Sequence, residues 1–250
     1  MTPPAITSGM ALLLDLDGTL IDFAPTPDGV VVPPALITSL QTLKNRLGGA
    51  LAIITGRPVA EVEALLPGIA HAVAGEHGGA LRPAPGAALE REASPAVPEA
   101  WLKRARMVVG AHPGTLLERK ASGVALHFRK RPNAGPALRD LAERLVAELP
   151  SHAVLAGSMV WEVRPRGIDK GRAVHAVMQR PPFAGRIPLF VGDDVTDEDA
   201  IRAVHELGGI GLRVDKVFGS PAGVRAWLAL QAQGCPPSER AVGGKGSGAL

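Results

Sequence analysis

The segment ALLLDLDGTLID, residues 11–22, runs four apolar residues into Asp15 and Asp17, with Gly18 and Thr19 directly behind. Further along, IITGR carries Thr55, Gly56 and Arg57, and GIDKG carries Lys170. GDDVTDED then packs five acids into the seven positions from Asp193 to Asp199. Clustered carboxylates repel one another and need a cation. All-oxygen ligands favour a hard ion such as Mg2+. A carboxylate beside such an ion is a competent nucleophile toward phosphorus. The Thr55 hydroxyl can hydrogen-bond a phosphoryl oxygen, and Lys170, at the start of a predicted helix, adds charge where the backbone already favours anions. Attack on a phosphate monoester is mostly positioning and charge neutralisation, so these segments hold the parts for phosphoryl transfer. Taken singly, each has a plainer alternative: a turn with capping acids for Asp-x-Asp-Gly-Thr, a solvated surface side chain for Lys170.

The elements that must position these groups follow from the apolar pattern. ALLLDLD, ALAIITG, IPLFVGDD and GIGLRV are short continuous apolar runs, as expected of strands buried on both faces of a parallel sheet. Helix-like stretches lie between them. PPALITSLQTLKNRLGG opens on prolines, repeats Leu36, Leu40, Leu43 and Leu47, and stops at Gly48. RPVAEVEALLPG and TDEDAIRAVHELGG follow the same pattern. This alternation predicts a doubly wound α/β core. Ligands of such sheets bind at the carboxyl ends of the strands, where Asp15, Asp17, Thr55, Asp193 and Asp194 fall.

The middle of the chain differs. A Pro/Ala/Gly-rich link leads to a helix over 98–110, strands in TLLERK and GVALHFRK, a second helix in GPALRDLAERLVAEL, and strands in HAVLA and MVWEVRP. That order predicts an antiparallel sheet with helices on one side. We read 85–165 as an α+β unit inserted into a core made of 1–84 and 166–233, with hinges near 82–86 and 164–167. Period two puts Val124, Leu126 and Phe128 on one strand face and His127 and Arg129 on the other, and pairs Glu118 with Lys120 and Glu162 with Arg164. The polar face either meets water or binds something polar.

Bulk properties exclude several classes. The 250 residues are 46% hydrophobic and 20% charged, with a net charge of +3. This is an ordinary globular composition. No apolar run approaches the roughly 20 residues of a membrane span, so no membrane association is expected. MTPPAITSGM lacks the pattern of a secretory leader, and the single cysteine, Cys235, permits no internal disulfide; both suit a cytoplasmic protein. The segment 234–250 reads as a disordered tail. Eight Lys or Arg between Trp101 and Arg131, against one acid, raise the possibility of a nucleic-acid-binding module. With no tyrosine and 3% aromatic residues, stacking platforms are few, and nucleic acid is not an expected partner. Trp101, Trp161 and Trp227 are expected to pack in cores.

DLDGTL, TGR, DKG and GDDVTDEDA, in this order and spacing, resemble the four motifs of the haloacid dehalogenase superfamily of phosphatases, and the insert resembles its C2-type cap. GEHGGALR, VALHFRK, WEVRPRGIDKG and GDDVTDEDAI resemble, more narrowly, the trehalose-6-phosphate phosphatase family, over about residues 10–230. The resemblance implies an α/β fold, a doubly wound Rossmann-like core with an inserted α+β C2-type cap, and Mg2+-dependent hydrolysis of trehalose 6-phosphate through an aspartyl-phosphate. It implies that Asp15 is the nucleophile and Asp17 the acid and base. It implies that Thr55 and Lys170 hold the phosphoryl group, with Asp197 orienting Lys170. The metal is implied on Asp15, the Asp17 carbonyl and Asp193, with Asp194 acting through a water. Substrate-binding positions are then Asp15, Asp17, Gly18, Thr55, Gly56, Arg57 and Lys170 on the core, with Glu118, Lys120, Arg129 and Glu162 on the cap for the sugar. A loop or hinge role is expected for His77, and sugar contact is open for His127. One position departs: Ser158 stands where family members often carry a lysine, four residues before Glu162. Within the superfamily the alternatives are another sugar-phosphate phosphatase or a phosphomannomutase-like enzyme, the latter favoured by a basic cap; a catalytically inactive sugar-phosphate sensor has no support, since every catalytic position is present. The expected partner is a small sugar phosphate, with a monomer favoured.

Overall fold

The computed structural model describes residues 2–24, 29–92, 96–120 and 122–234. The tail expected from 234 lies, from Cys235 onward, outside the described residues. The elements in order are β1 (Met10–Leu14), α1 (Pro34–Arg46), β2 (Leu51–Ile54), α2 (Val59–Leu65), β3 (Ala72–Gly75), β4 (Ala80–Arg82) and β5 (Glu90–Arg91). Then come α3 (Glu99–Gly110), β6 (Leu116–Arg119), β7 (Val124–His127), α4 (Gly135–Glu148), β8 (His152–Gly157) and β9 (Val160–Pro165). The chain continues through α5 (Lys170–Met178), β10 (Ile187–Gly192), α6 (Asp197–Glu206), β11 (Ile210–Arg213), α7 (Val214–Val217) and α8 (Pro221–Gln233).

The first sheet has seven strands in the order β11-β10-β1-β2-β3-β4-β5, parallel from β11 to β3 and antiparallel from there. Leu12, Leu13 and Leu14 are fully buried, as a strand covered on both faces requires; each such side chain contributes about 1.5–3 kcal/mol. Beside this sheet α1 packs against α8 and α5 against α6. Helix α1 carries proline at its first position and turns Leu36, Leu40 and Leu43 inward, and Gly48 beyond its end is left-handed at φ 56°.

The second sheet is antiparallel, in the order β6-β7-β9-β8. Helices α3 and α4 bury Trp101, Leu102, Leu138, Leu141 and Leu145 with Val124, Leu126 and Val163 in a separate core. The expected inserted α+β unit is therefore present, with one difference at its edge. Glu90 and Arg91, inside the 85–165 segment read as insert, pair with β4 and belong to the first sheet. Arg180, two residues past the end of α5, grips Glu90 with two hydrogen bonds of 2.7 and 2.8 Å, so the chain is still held to the first sheet at Glu90 and Arg91. Strands of two and three residues carry no readable period, which is why β4 and β5 escape the apolar pattern. Of the three tryptophans, Trp101 and Trp227 are buried, whereas Trp161 is half-buried, stacks on Phe128 and donates to the Gly135 carbonyl at 2.9 Å. No helix among the described residues is long and apolar enough to cross a membrane.

Candidate active site

Strand β1 delivers Asp15 to the carboxyl edge of the sheet, where its amide donates to the Val191 carbonyl of β10 at 3.0 Å. The parallel pairing of β1 with β10 brings the loop after Gly192 alongside, and with it Asp193. Gly18, at φ 75°, lies so close that a Cβ there would sit 2.2 Å from the Asp193 carboxylate, so only glycine suits this approach. Thr19 bridges the two strands' acids: its hydroxyl lies 3.2 Å from Asp15 Oδ2 and 3.2 Å from Asp193 Oδ1. Thr19 is a site residue that the motif reading passed over, although it stands inside the DGT triplet.

Lys170 opens α5, whose N-cap Asp169 accepts from the Arg172 amide at 2.8 Å. This cap holds the first turn in place, and the Lys170 ammonium reaches Asp15 Oδ1 at 2.7 Å and Asp197 Oδ1 at 2.6 Å. The lysine is 3% exposed, so it is no solvated surface lysine. The other oxygen of Asp197 accepts from the amides of Asp193 and Asp194 at 2.9 and 3.0 Å. Asp197 thus shapes the acidic loop and orients the lysine at once.

Oxygens of Asp15, Asp193 and Asp197 lie within 4.8 Å of one another. Burial pushes the Asp15 carboxyl well up, Lys170 pulls it back, and Asp197 and Asp193 push it up again. Burial, then Asp197 and Asp194, push Asp193 up to about 6. For Lys170 burial opposes the charge, but Asp15 and Asp197 outweigh it and hold the ammonium charged well above its usual range. Asp15 and Asp197 share Lys170 while half-buried Asp193 stands beside them unpaired with it, and the repulsion that remains fits a hard divalent cation on oxygen donors. Asp194 stands apart from this group, its Oδ1 accepting from the Val195 amide at 2.6 Å.

Asp17 points elsewhere. Arg57 takes it with two bonds, Nε to Oδ2 at 2.6 Å and Nη2 to Oδ1 at 2.8 Å, and also reaches Glu61 at 3.2 Å. Hydrogen bonding to Asp17 raises the Arg57 pKa further. Thr55 is buried, and its hydroxyl oxygen accepts from the Arg57 amide at 3.3 Å. Gly56 has its open side filled by the His77 ring; a Cβ would meet Cε1 and Nε2 at 2.6 Å.

On the second sheet, register puts Glu118, Ala125 and Glu162 in one row across three strands. Alanine between two acids explains why Ala125 is buried on the polar face. Glu118 accepts from His127 at 2.8 Å, which lowers its pKa. Glu162 lies 2.9 Å from Lys120 and 3.1 Å from His77 of the first unit. Burial works against the Glu162 charge, but His77 and Lys120 hold its carboxyl well below the usual range. Arg129 is set apart: it donates to the Ser158 carbonyl at 3.2 Å and lies over the Phe23 ring at 5.7 Å. The structure therefore gathers Glu118, Lys120 and Glu162 on the face turned to the core, and leaves Arg129 at the rim.

A family profile described as trehalose-phosphatase matches residues 13–231. The chain is 38% identical over 211 residues to trehalose-6-phosphate phosphatase of Escherichia coli, covering 84% of this chain and 79% of that protein. It is 40% identical over 235 residues to a probable trehalose-phosphate phosphatase of Sinorhizobium fredii, covering 94% and 85%. Among solved structures, the C-terminal domain of C. albicans trehalose-6-phosphate phosphatase superimposes with a TM-score of 0.78 at 22% identity, covering 91% and 93%; at that identity the likeness speaks for the fold. The fold implied by the superfamily resemblance, a haloacid dehalogenase-type core with an inserted α+β unit, is the one observed. With an aspartate-bearing strand end, a buried lysine and an acidic loop converging on one edge of that core, the chain belongs to the trehalose-phosphatase family.

Proposed function

We propose that this chain hydrolyses trehalose 6-phosphate to trehalose and phosphate, with Asp15 as nucleophile. The observation that carries the assignment is the contact of Asp15 with the buried Lys170 ammonium at 2.7 Å, which offsets part of the burial that pushes the Asp15 carboxyl up and supplies a cation for phosphoryl oxygens beside the nucleophile. Asp15 Oδ forms a bond to phosphorus as the bond from phosphorus to the sugar oxygen breaks. Asp17 gives that oxygen a proton, then removes one from the water that cleaves the aspartyl-phosphate. Arg57 holds the Asp17 carboxylate at two points, and a bound phosphate dianion offers the guanidinium another partner during the first step. Asp15, Asp193 and the Asp17 carbonyl would hold Mg2+, with Asp194 acting through a water. Bound there, the ion would neutralise phosphoryl charge. Asp197 keeps Lys170 in place.

The leaving sugar lies toward the second sheet, where Glu118, Lys120 and Glu162 offer paired donors and acceptors of the kind that selects a polyhydroxylated ligand, with Arg129 at the rim. The inserted unit acts as a cap that closes over the sugar and excludes bulk water. The working site is cytoplasmic and the protein a monomer. The test is phosphate release, with Mg2+, from trehalose 6-phosphate beside sucrose 6-phosphate and glucose 6-phosphate, with Asp15→Asn as blank. Preference for trehalose 6-phosphate supports the assignment. Equal or faster release from another sugar phosphate, or activation by a sugar bisphosphate, replaces it with another phosphatase or a mutase of the same chemistry.

A further inference from the structure

His77 is held in a costly conformation. Glu76 and His77 are consecutive non-glycine residues at φ 54° and 56° in a 3-10 turn after β3, and such backbone costs about 1–3 kcal/mol per residue. The turn is pinned to the phosphate loop: the Glu76 amide donates to the Arg57 carbonyl at 3.0 Å and the His77 amide to the Thr55 carbonyl at 3.0 Å. Arg91 holds the Glu76 side chain at 2.8 Å. The outcome of this strain is one contact. The imidazole lies on Gly56 and sends Nε2 across to Glu162 Oε2 on β9 at 3.1 Å, while Lys120 takes Oε1 at 2.9 Å.

We propose that His77 is a positioning residue that fixes Glu162 for the sugar half of the substrate, tying the sugar-side acid of the cap to the loop that holds the phosphate. The assignment rests on the trehalose 6-phosphate reading above. Each Glu162 oxygen has its own anchor, one from the core and one from the cap, so the acid takes its final place only when the two units meet. The distance between the sugar site and Thr55 is then set by a ring and two peptide units, with no flexible linker between. Burial lowers the His77 pKa against the pull of Glu162, and the 3.1 Å contact with a carboxylate, which can only accept, puts a proton on Nε2. Nδ1 then carries a lone pair and not an orphaned N–H, in keeping with its being buried with no hydrogen-bond partner. Lys120 and Glu118 are the other charged groups facing this contact from the cap, and Lys170 faces it from the core.

The test compares kcat/KM for trehalose 6-phosphate with that for an aryl phosphate, which has no sugar, in the full chain with Mg2+. The ratio of the two should fall about 10- to 100-fold in His77→Ala, as expected for one lost hydrogen bond to a charged group, mainly through KM. His77→Gln, which restores a donor at a similar reach, should recover most of it. His77→Ala placed on Glu162→Gln should lower the ratio no further. An unchanged ratio in His77→Ala, or equal losses for both substrates, would show that His77 only supports the phosphate loop. Failure of the trehalose 6-phosphate assignment is read separately, from the wild-type preference among sugar phosphates, and the ratio test then uses the preferred one.

Discussion

Arg57 holds the Asp17 carboxylate in a fork, with Nε at 2.6 Å from one oxygen and Nη2 at 2.8 Å from the other. An ammonium cannot reproduce this two-point geometry. Arg57→Lys should therefore let Asp17 wander and lower kcat for trehalose 6-phosphate by about 10- to 100-fold. Steady-state kinetics decide it, and a kcat within twofold of wild type would show that the fork has no catalytic consequence.

Asp15→Asn should remove turnover by roughly 10^4-fold or more, the scale seen when a covalent nucleophile is lost. The change is nearly isosteric and takes a charge out of a crowded acidic group, so thermal unfolding should occur at the same temperature or higher. A variant that keeps substantial phosphatase activity would remove Asp15 as nucleophile.

Lys170→Met leaves Asp15 and Asp197 buried and facing each other without their shared cation. Breaking such a buried pair costs about 3–5 kcal/mol, and denaturant unfolding should show it. Adding Asp197→Asn should return part of the stability and none of the activity. If the single variant is as stable as wild type, the lysine is not compensating those carboxylates.

Asp193 gives a pH dependence with a definite sign. Its carboxyl is pushed up to about 6 by burial, then by Asp197 and Asp194, whereas an unfolded aspartate titrates near about 3.9. At this site the native state therefore binds more protons than the unfolded chain between those values, and Asp193's contribution to the stability of the metal-free protein falls as pH rises through that window. Mg2+ competes with the proton for the same oxygens. Its gain in unfolding temperature should be small at about pH 5 and larger at about pH 7.5. A gain independent of pH would place the ion away from Asp193.

What was legible in the sequence was local. Leu12, Leu13 and Leu14 announce a strand covered on both faces, and the acids that follow must then sit at its carboxyl edge, because side-chain and strand geometry leave no other place. The 3.6 period of α1 and the period of two on β7 work in the same way. Asp169 and Lys170 read as a helix start, and the cap hydrogen bond is there. The superfamily motifs likewise pointed to Asp15, Lys170 and Asp193.

The tertiary structure alone decided which of these groups touch. Strand order sets β10 against β1, and no local pattern states that order; only then do Asp15 and Asp197 share one lysine and Thr19 join Asp15 to Asp193. The same holds for Arg57 on Asp17, for the place of Arg129 at the rim, and for β4 and β5, whose few residues are strands only because β3 and Arg180 hold them. The contact of His77 with Glu162 is the furthest from the sequence. It joins two separately packed cores through a strained turn, and its energy comes from long-range packing that no spacing of residue types encodes.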